Sequence, residues 1–396
     1  MGHNTSPLTE KRILFFTCAA HALTHVYMVA YTVVLTQLSE EFGVDRIAIT
    51  RYATISIVLF GLGAIPAGWL GDRLGEKNLL VTFFVMSALG GLLVGLAQDL
   101  DQLAIGMGIL GLGTSIFHPV GNAFIARGVR NPGRAMGTNG LWGNVGEALG
   151  PFLTVQIALL ASWRWAYISL ALPTLALGLW LALTKIQLED SPAAPPKPTR
   201  GKFPGVLILL LLAMTCGGFQ FWIIKTMLPS YLQEGAPSSW LPDTLRGGYL
   251  ASLIYLIGGL GQLLAGRLVH HREGRGLYVV IFALSVPIIY AVGKIGGHFL
   301  FPTACVMAVL MFSAQPIENV LLVRYSPRGL RGLIFGLKFT LAFGIGGLGA
   351  SFSGTVEARY GLGEVFTMAA AFTAVALALA LAAFCVGRKP KTAHDG

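Results

Sequence analysis

Charge is in short supply in this sequence. Only 12% of its 396 residues are Asp, Glu, Lys or Arg, against roughly a quarter in an ordinary soluble domain. That deficit excludes a typical cytosolic enzyme and a disordered chain, both of which need a solvated charged surface. Cysteine is scarcer still: Cys18, Cys216, Cys305 and Cys385 lie far apart in apolar stretches, with no paired spacing. A disulfide framework and a thiolate zinc site are therefore excluded. No GxxxxGK[ST] loop occurs, so ATP is not the expected energy source. No cofactor-binding fingerprint is present either, and no pairing of nucleophile and base suggests an enzyme.

What is there is apolar: 54% of residues are hydrophobic and 51 are glycine. Each bilayer-crossing helix needs about 20 such residues. Apolar runs broken by charge, proline and glycine predict spans at 13–38, 48–70, 78–97, 102–126, 134–160 and 164–184, and at 204–230, 245–267, 277–294, 300–323, 330–355 and 363–387. The first run is too long for the core of a cleavable signal peptide. Between the two sets lies a Pro-rich, charged linker, 185–203, containing SPAAPPKPTR. The expected organisation is an N-terminal six-helix bundle over 1–184, the linker, and a C-terminal six-helix bundle over 204–396 that ends in a short basic tail. The fold class is thus an all-α integral membrane protein with twelve transmembrane helices, taken as a monomer in a lipid bilayer.

The net charge of +10 does not imply a nucleic-acid partner, because the basic residues share no single face. Twenty of the 28 Lys and Arg fall in loops on the side of the N-terminus and six on the other. That bias predicts both termini in the cytoplasm. The halves also repeat: FHPVGNAFIAR (Phe117 to Arg127) lies on AQPIENVLLVR (Ala314 to Arg324) without a gap. Pro119 meets Pro316 and Asn122 meets Asn319, as expected of a duplicated unit that rocks about a central site.

Between the second and third spans, GWLGDRLGEK carries Gly68, Leu70, Asp72, Arg73, Gly75 and Lys77. It closely resembles the cytoplasmic loop signature of the major facilitator superfamily, with Glu76 in place of the usual Arg. A degraded copy, GQLLAGRL, sets Arg267 against Arg73 and Gly266 against Asp72. The resemblance implies two pseudo-symmetric six-helix bundles and a gate at this loop, where Asp72 faces a helix N-terminus or a basic partner. In the fifth span Gly137, Gly146 and Gly150-Pro151 reproduce a spacing similar to that of proton-driven exporters of the superfamily, although Thr154 and Val155 replace its two final glycines. FHPVG together with GNVGEALGP looks most like the branch containing fosmidomycin-resistance exporters. Export is therefore favoured slightly over import, from a bacterial inner membrane.

Ionisable side chains inside spans are costly enough to be functional candidates by default. They are His21, His25, His118, Glu147, Lys225, Glu318 and Lys338, and the resemblance places their spans around a central cavity. His21 and His25 share one helical face. HALTH lacks the Glu of HExxH, and three roles stay open for the pair: polar packing, substrate or proton contact, and a transition-metal site. Substrate contact is the expectation adopted, with no metal. Tyr31, His118, Asn122, Trp142, Lys225, Trp222, Asn319 and Lys338 complete the expected substrate contacts. Glu147 and Glu318 are the expected proton-coupling groups, with salt-bridge roles open to both and Lys338 a natural partner for Glu318. Lys225 has no acidic neighbour in sequence, so it must pair, deprotonate or meet an anion. The function expected is secondary transport of a small organic anion or amphipath by alternating access, coupled to protons. The alternative is a multidrug or cationic-solute/proton antiporter using Glu147 and Glu318.

Overall fold

The structure is a computed structural model that describes residues 6–44, 46–186, 204–241, 243–271 and 274–386. Most of the predicted linker and the whole basic tail after Val386 lie outside the described residues. Ser6 opens α1 (Pro7–Val33) by accepting the Thr9 N–H at 3.2 Å, with Pro7 supplying the fixed φ of a first helical turn. A break at Val34 leads to the short α2 (Leu35–Phe42), so the first span stops earlier than its apolar run suggests. α3 (Arg46–Leu74) and α4 (Glu76–Leu96) meet at Gly75, whose φ of +87° only glycine adopts readily.

The predicted fourth span is two helices, α5 (Leu100–Ser115) and α6 (Phe117–Gly128), divided at Ile116. Pro119 lacks the N–H that would have carried the helix ladder across that point. α7 (Pro132–Leu160), capped by Asn131, and α8 (Trp163–Leu183) complete the first half. The second half comprises α9 (Pro204–Gly235), α10 (Asp243–His271), α11 (Gly274–Val292) and α12 (Leu300–Tyr325). The eleventh pass is interrupted: α13 (Arg331–Phe339) gives way to a π turn over Thr340–Ile345 before α14 (Leu348–Tyr360). α15 (Leu362–Val386) ends the described chain.

Ten helical segments among the described residues are long and apolar enough to cross a membrane. α7 and the interrupted α13–α14 run, richer in glycine and polar side chains, complete twelve passes. Leu153, Ile208, Leu256 and Leu284 stand exposed on the outer wall, an arrangement that suits lipid and would be costly in water.

The buried apolar residues separate by depth. At the end that carries the termini, one cluster joins both halves, from Ile13 and Phe16 through Phe124 to Leu210 and Phe335. At the opposite end there are two clusters. One holds Tyr31, Leu103 and Tyr167 of the first half, and the other Leu228, Met307 and Phe366 of the second. The halves are therefore sealed together at the terminal end and packed separately at the other.

Glycine makes the seal close. A Cβ on Gly68 of α3 would lie 2.0 Å from the Gly332 carbonyl oxygen of α13, and one on Gly266 of α10 would lie 2.6 Å from the Gly133 carbonyl oxygen of α7. Neither helix pair tolerates a side chain there. Gly146 plays the same part inside the first half, where its Cβ would meet the Ala22 carbonyl oxygen of α1 at 2.2 Å.

These two kinds of contact predict different phenotypes. Gly146→Val overpacks a half that moves as a unit, costing about 1–3 kcal/mol, and lowers the thermal unfolding midpoint of the purified protein. Gly68→Val acts on the seal: a spin-label pair at Trp69 and Leu330 reports a longer distance across the terminal end, with a smaller loss of thermal stability.

Candidate functional site

A central cavity lies where α1, α6, α7, α9, α12 and α13 converge. Its lining includes His21, His25, His118, Asn122, Glu318, Asn319 and Lys338. Its volume is about 70 Å³, room for a few waters and far below the ~300 Å³ of a pocket for a drug-sized ligand.

The histidines come from two helices of the first half. On α1, the four-residue spacing of His21 and His25 brings their Nε2 atoms to 3.2 Å. Gly143 on α7 leaves the room they occupy, since a Cβ there would sit 2.5 Å from His21 Nε2. His118, next to the helix break, presents its ring edge-on to His21, with centroids 5.1 Å apart, and stacks on Phe339 of α13 at 4.4 Å. The proton positions follow from the partners. His21 Nδ1 lies 2.8 Å from the Asn139 carbonyl oxygen, which can only accept, so Nδ1 carries the proton. For neutral rings, His21 Nε2 then accepts from His25 Nε2–H, which leaves His25 Nδ1 with a bare lone pair. That atom is buried without a hydrogen-bond partner and faces Glu147 Oε1 at 3.9 Å.

Glu147 is itself the bridge between the halves. Its carboxylate accepts a hydrogen bond from Lys225 Nζ of α9. Lys225, a lone cation in the linear sequence, is thus paired through the fold. Beneath it, Asn144 Nδ2 donates to the Tyr255 carbonyl at 2.9 Å, and Gln262 Nε2 donates to Asn144 Oδ1 at 2.9 Å. Both bonds tie α7 to α10.

The second polar chain runs through the repeat. Asn319 Nδ2 donates to Asn122 Oδ1 at 3.2 Å, so the two asparagines matched by sequence touch across the pseudo-two-fold axis. Lys338 Nζ donates to Asn319 Oδ1 at 2.8 Å and pairs with Glu318 Oε2 at 2.9 Å, while the Tyr278 hydroxyl donates to Glu318 Oε1 at 2.8 Å. Glu318 and Lys338 therefore hold each other.

Four expected contacts lie outside the cavity lining, Lys225 at its pair with Glu147 and three others elsewhere. Tyr31 is buried at the end opposite the termini, where its hydroxyl donates to the Ile49 carbonyl at 2.6 Å. Trp142 is 46% exposed on the outer wall beside Phe15 and Leu23, because its neighbour Leu141 takes the face turned to Gly259 of α10. Trp222 stands behind the cavity wall, edge-on to Phe343 at 5.9 Å. Sequence reasoning missed Phe339 and Phe343, which cap the cavity from the second half, and Gln262. The signal was the glycine-rich FGIGGLGA run, which marks where the π turn re-aims both rings.

At the loop expected to form a gate, Asp72 accepts the backbone N–H of Gly332 at 2.9 Å and of Leu333 at 3.0 Å. It thus sits on the N-terminus of α13, where orphan donors and the helix dipole both favour an anion. Arg73 stays local, its guanidinium 3.8 Å over the Trp69 ring, and Lys77 Nζ donates to the Ala182 carbonyl at 3.1 Å. Arg267 is exposed. Glu76 is buried and pairs with Arg127 at 2.5 Å, so the departure from the expected Arg at this position is balanced inside the first half. On the opposite rim Glu41 binds Trp163 and Arg164. Partial burial pushes its carboxyl up, and those hydrogen bonds outweigh it and hold the group below its ordinary range.

A family described as the Major Facilitator Superfamily matches residues 15–351. The chain is 30% identical over 205 residues to the putative multidrug resistance protein MdtD of Cronobacter sakazakii, a match covering 51% of this chain and 41% of that protein. It spans, in other words, about two-fifths of that relative's length. It is 23% identical over 347 residues to the probable sulfoacetate transporter SauU of Cupriavidus necator, covering 80% of this chain and 76% of that one. Among solved structures, FucP in the outward conformation superposes with a TM-score of 0.71 at 15% identity, over 93% of this chain and 98% of FucP. The human organic anion transporter MFSD10 gives 0.74 at 15% identity, over 95% and 100%. At that identity the structural likeness is one of fold.

The Glu318–Lys338 pair yields a stability test. Glu318→Gln strands a buried ammonium and costs about 3–5 kcal/mol, whereas Glu318→Gln with Lys338→Met removes both charges and costs less than either single change. A double-mutant cycle of thermal unfolding checks the sign of the coupling.

Proposed function

The chain belongs to the Major Facilitator Superfamily, and we propose that it is a secondary transporter carrying a small organic anion across a bacterial inner membrane in step with protons. The termini are placed in the cytoplasm on the Lys and Arg bias of the loops. The sealed end is then the cytoplasmic one and the separated end faces outward. The observation that carries the reading is the position of Glu147, shared between Lys225 of the other half and the bare Nδ1 of His25.

A proton entering the 3.9 Å gap between His25 Nδ1 and Glu147 finds an acceptor on each side. Held there, it satisfies the carboxylate and weakens its hold on Lys225. Lys225 is then a buried cation without its counter-ion, a state that costs several kcal/mol unless an anion arrives. A carboxylate or sulfonate on the solute supplies that charge, with Lys338, Asn319 and Asn122 available for its other oxygens. The small cavity supports a small solute, and the resemblance to the probable sulfoacetate transporter points to the same class.

This arrangement also bears on direction. Proton and anion favour the same state, since one releases the cation that the other needs, so the two travel together and the coupled process is uptake down the proton gradient. Export, favoured by the glycine spacing of α7 and by the likeness to a putative multidrug resistance protein, needs proton and solute to compete. That competition is available to a cationic solute bound at Glu147 and Glu318, which is the second reading. Against it, both carboxylates are already neutralised by lysines.

Closure at the cytoplasmic end depends on Asp72 and the glycine seams. Opening it requires the Asp72 carboxylate to leave the α13 N-terminus, so the gate lies on α3–α13 while the central pair joins α7 to α9.

The test is flux in proteoliposomes loaded under an inward pH gradient, with small sulfonates and carboxylates against organic cations. Gradient-driven anion accumulation is expected in the wild type. Glu147→Gln reduces it by about tenfold or more, ~1.4 kcal/mol of lost coupling, while anion exchange without a gradient persists. Lys225→Gln abolishes anion binding. Accumulation by Glu147→Gln equal to the wild type would overturn the proton role, and preference for cations would select the second reading.

A further inference from the structure

We propose that His21, His25 and His118 together form a binding site for a divalent transition-metal ion of the zinc class at the centre of the bundle. In the sequence a transition-metal site is only one of three roles open to the HxxxH pair. The fold adds the third imidazole from α6, and the candidate ligand atoms of all three rings lie within 4.8 Å of one another. His21 Nε2 and His25 Nε2 are already 3.2 Å apart, close to the ~3.3 Å edge of a tetrahedron with metal–nitrogen bonds of about 2.0 Å. The third corner requires a separation of up to 4.8 Å to close by about 1.5 Å, with the cavity beside His118 leaving room for the movement.

The strongest support is what an ion would repair. Among the described residues, His118 Nε2 and His25 Nδ1 are buried nitrogens with no hydrogen-bond partner, and such orphans are costly. An ion held by the three Nε2 atoms uses the lone pair of His118 directly. It also moves the proton of His25 from Nε2 to Nδ1, where the N–H points at Glu147 Oε1, now 3.9 Å away. One ligand therefore satisfies both atoms.

The surroundings match those of a metal-bound histidine set. Such rings usually donate their remote N–H to a carbonyl or carboxylate, which fixes the tautomer. His21 Nδ1 already does so to the Asn139 carbonyl at 2.8 Å, and Glu147 is placed to do so for His25. Gly143 keeps the space beside His21 Nε2 free of side-chain atoms, and the cavity offers water for the fourth position. Three neutral imidazoles without a hard oxygen cage select zinc, copper, nickel or cobalt over calcium or magnesium.

The charges facing the site are Glu147 of α7, Lys225 of α9, Glu318 of α12 and Lys338 of α13, and they form two balanced pairs. A dication is therefore accommodated by drawing Glu147 away from Lys225. With zinc on Nε2, His25 Nδ1 is already protonated and can no longer accept the transported proton, so zinc would inhibit proton-coupled flux. That last consequence rests on the proton role proposed for Glu147, whereas the binding does not.

The experiment uses the full chain, purified in detergent through a tag free of histidine, with zinc binding measured by calorimetry and the electronic spectrum of added cobalt recorded in parallel. Expected are one zinc per chain and a tetrahedral cobalt spectrum. His118→Asn and His25→Gln weaken zinc binding beyond the roughly 10–100-fold loss typical of an outer partner, and Glu147→Gln weakens it within that range. The exposed His298 serves as control, with His298→Ala binding as the wild type does. An octahedral cobalt spectrum in the wild type, or zinc affinity unchanged in His118→Asn, overturns the site whether or not a variant folds poorly. Tight zinc binding without inhibition of flux would keep the site and overturn the proton role instead.

Discussion

A charge cannot stand alone in the core of a bilayer, and that constraint organises the centre of this molecule. The Lys225 ammonium is tolerable there because Glu147 of the other half meets it, and Lys338 because Glu318, itself held by the Tyr278 hydroxyl, and Asn319 close around it. The desolvation penalty for each ion is several kcal/mol, so partners are exchanged and never simply released. Because the pair joins the two halves, whatever neutralises Glu147 must be accompanied by something that satisfies Lys225.

Around that centre, the helices that join the halves were built for close approach without covalent or extensive polar ties. Glycine faces backbone at α3–α13 and at α7–α10, so much of the contact is dispersion between flat surfaces, strong when closed and lost over a small displacement. Asp72 adds direction. It grips the N-terminus of α13, whereas its counterpart in the repeat, Gly266, contributes only proximity to Gly137. The two-fold repeat is thus symmetric in shape and asymmetric in charge, with one seam locked by a carboxylate and the other by packing and the neutral amide bonds of Asn144 and Gln262. The break at Ile116 and the π turn after Phe339 are likewise local departures from helix that aim His118, Phe339 and Phe343 at a shared space.

The spans, the halves, the matched Asn122 and Asn319 and the gate around Asp72 were legible because hydropathy, charge bias and glycine spacing are local or periodic signals. So were the intramembrane ionisable residues, which stand out against an apolar background. Their partners were not legible. Lys225 and Glu147 are far apart in the chain, and no spacing rule joins a fifth helix to a seventh. Trp142 and Tyr31 misled for a related reason: an aromatic residue near a polar helix face is placed inward or outward by a rotation of about 100° per residue, which composition does not specify.

The sequence by itself determined that the chain crosses a membrane in twelve passes, that its two halves repeat, and which few titratable groups were admitted to the interior, because each follows from the transfer free energy of short segments. Only the tertiary structure decided that three histidines meet, that one carboxylate is divided between a lysine and an imidazole, and at which end the halves close. Those outcomes depend on how helices from both halves are rotated and tilted against one another, and close packing across their interface sets those angles.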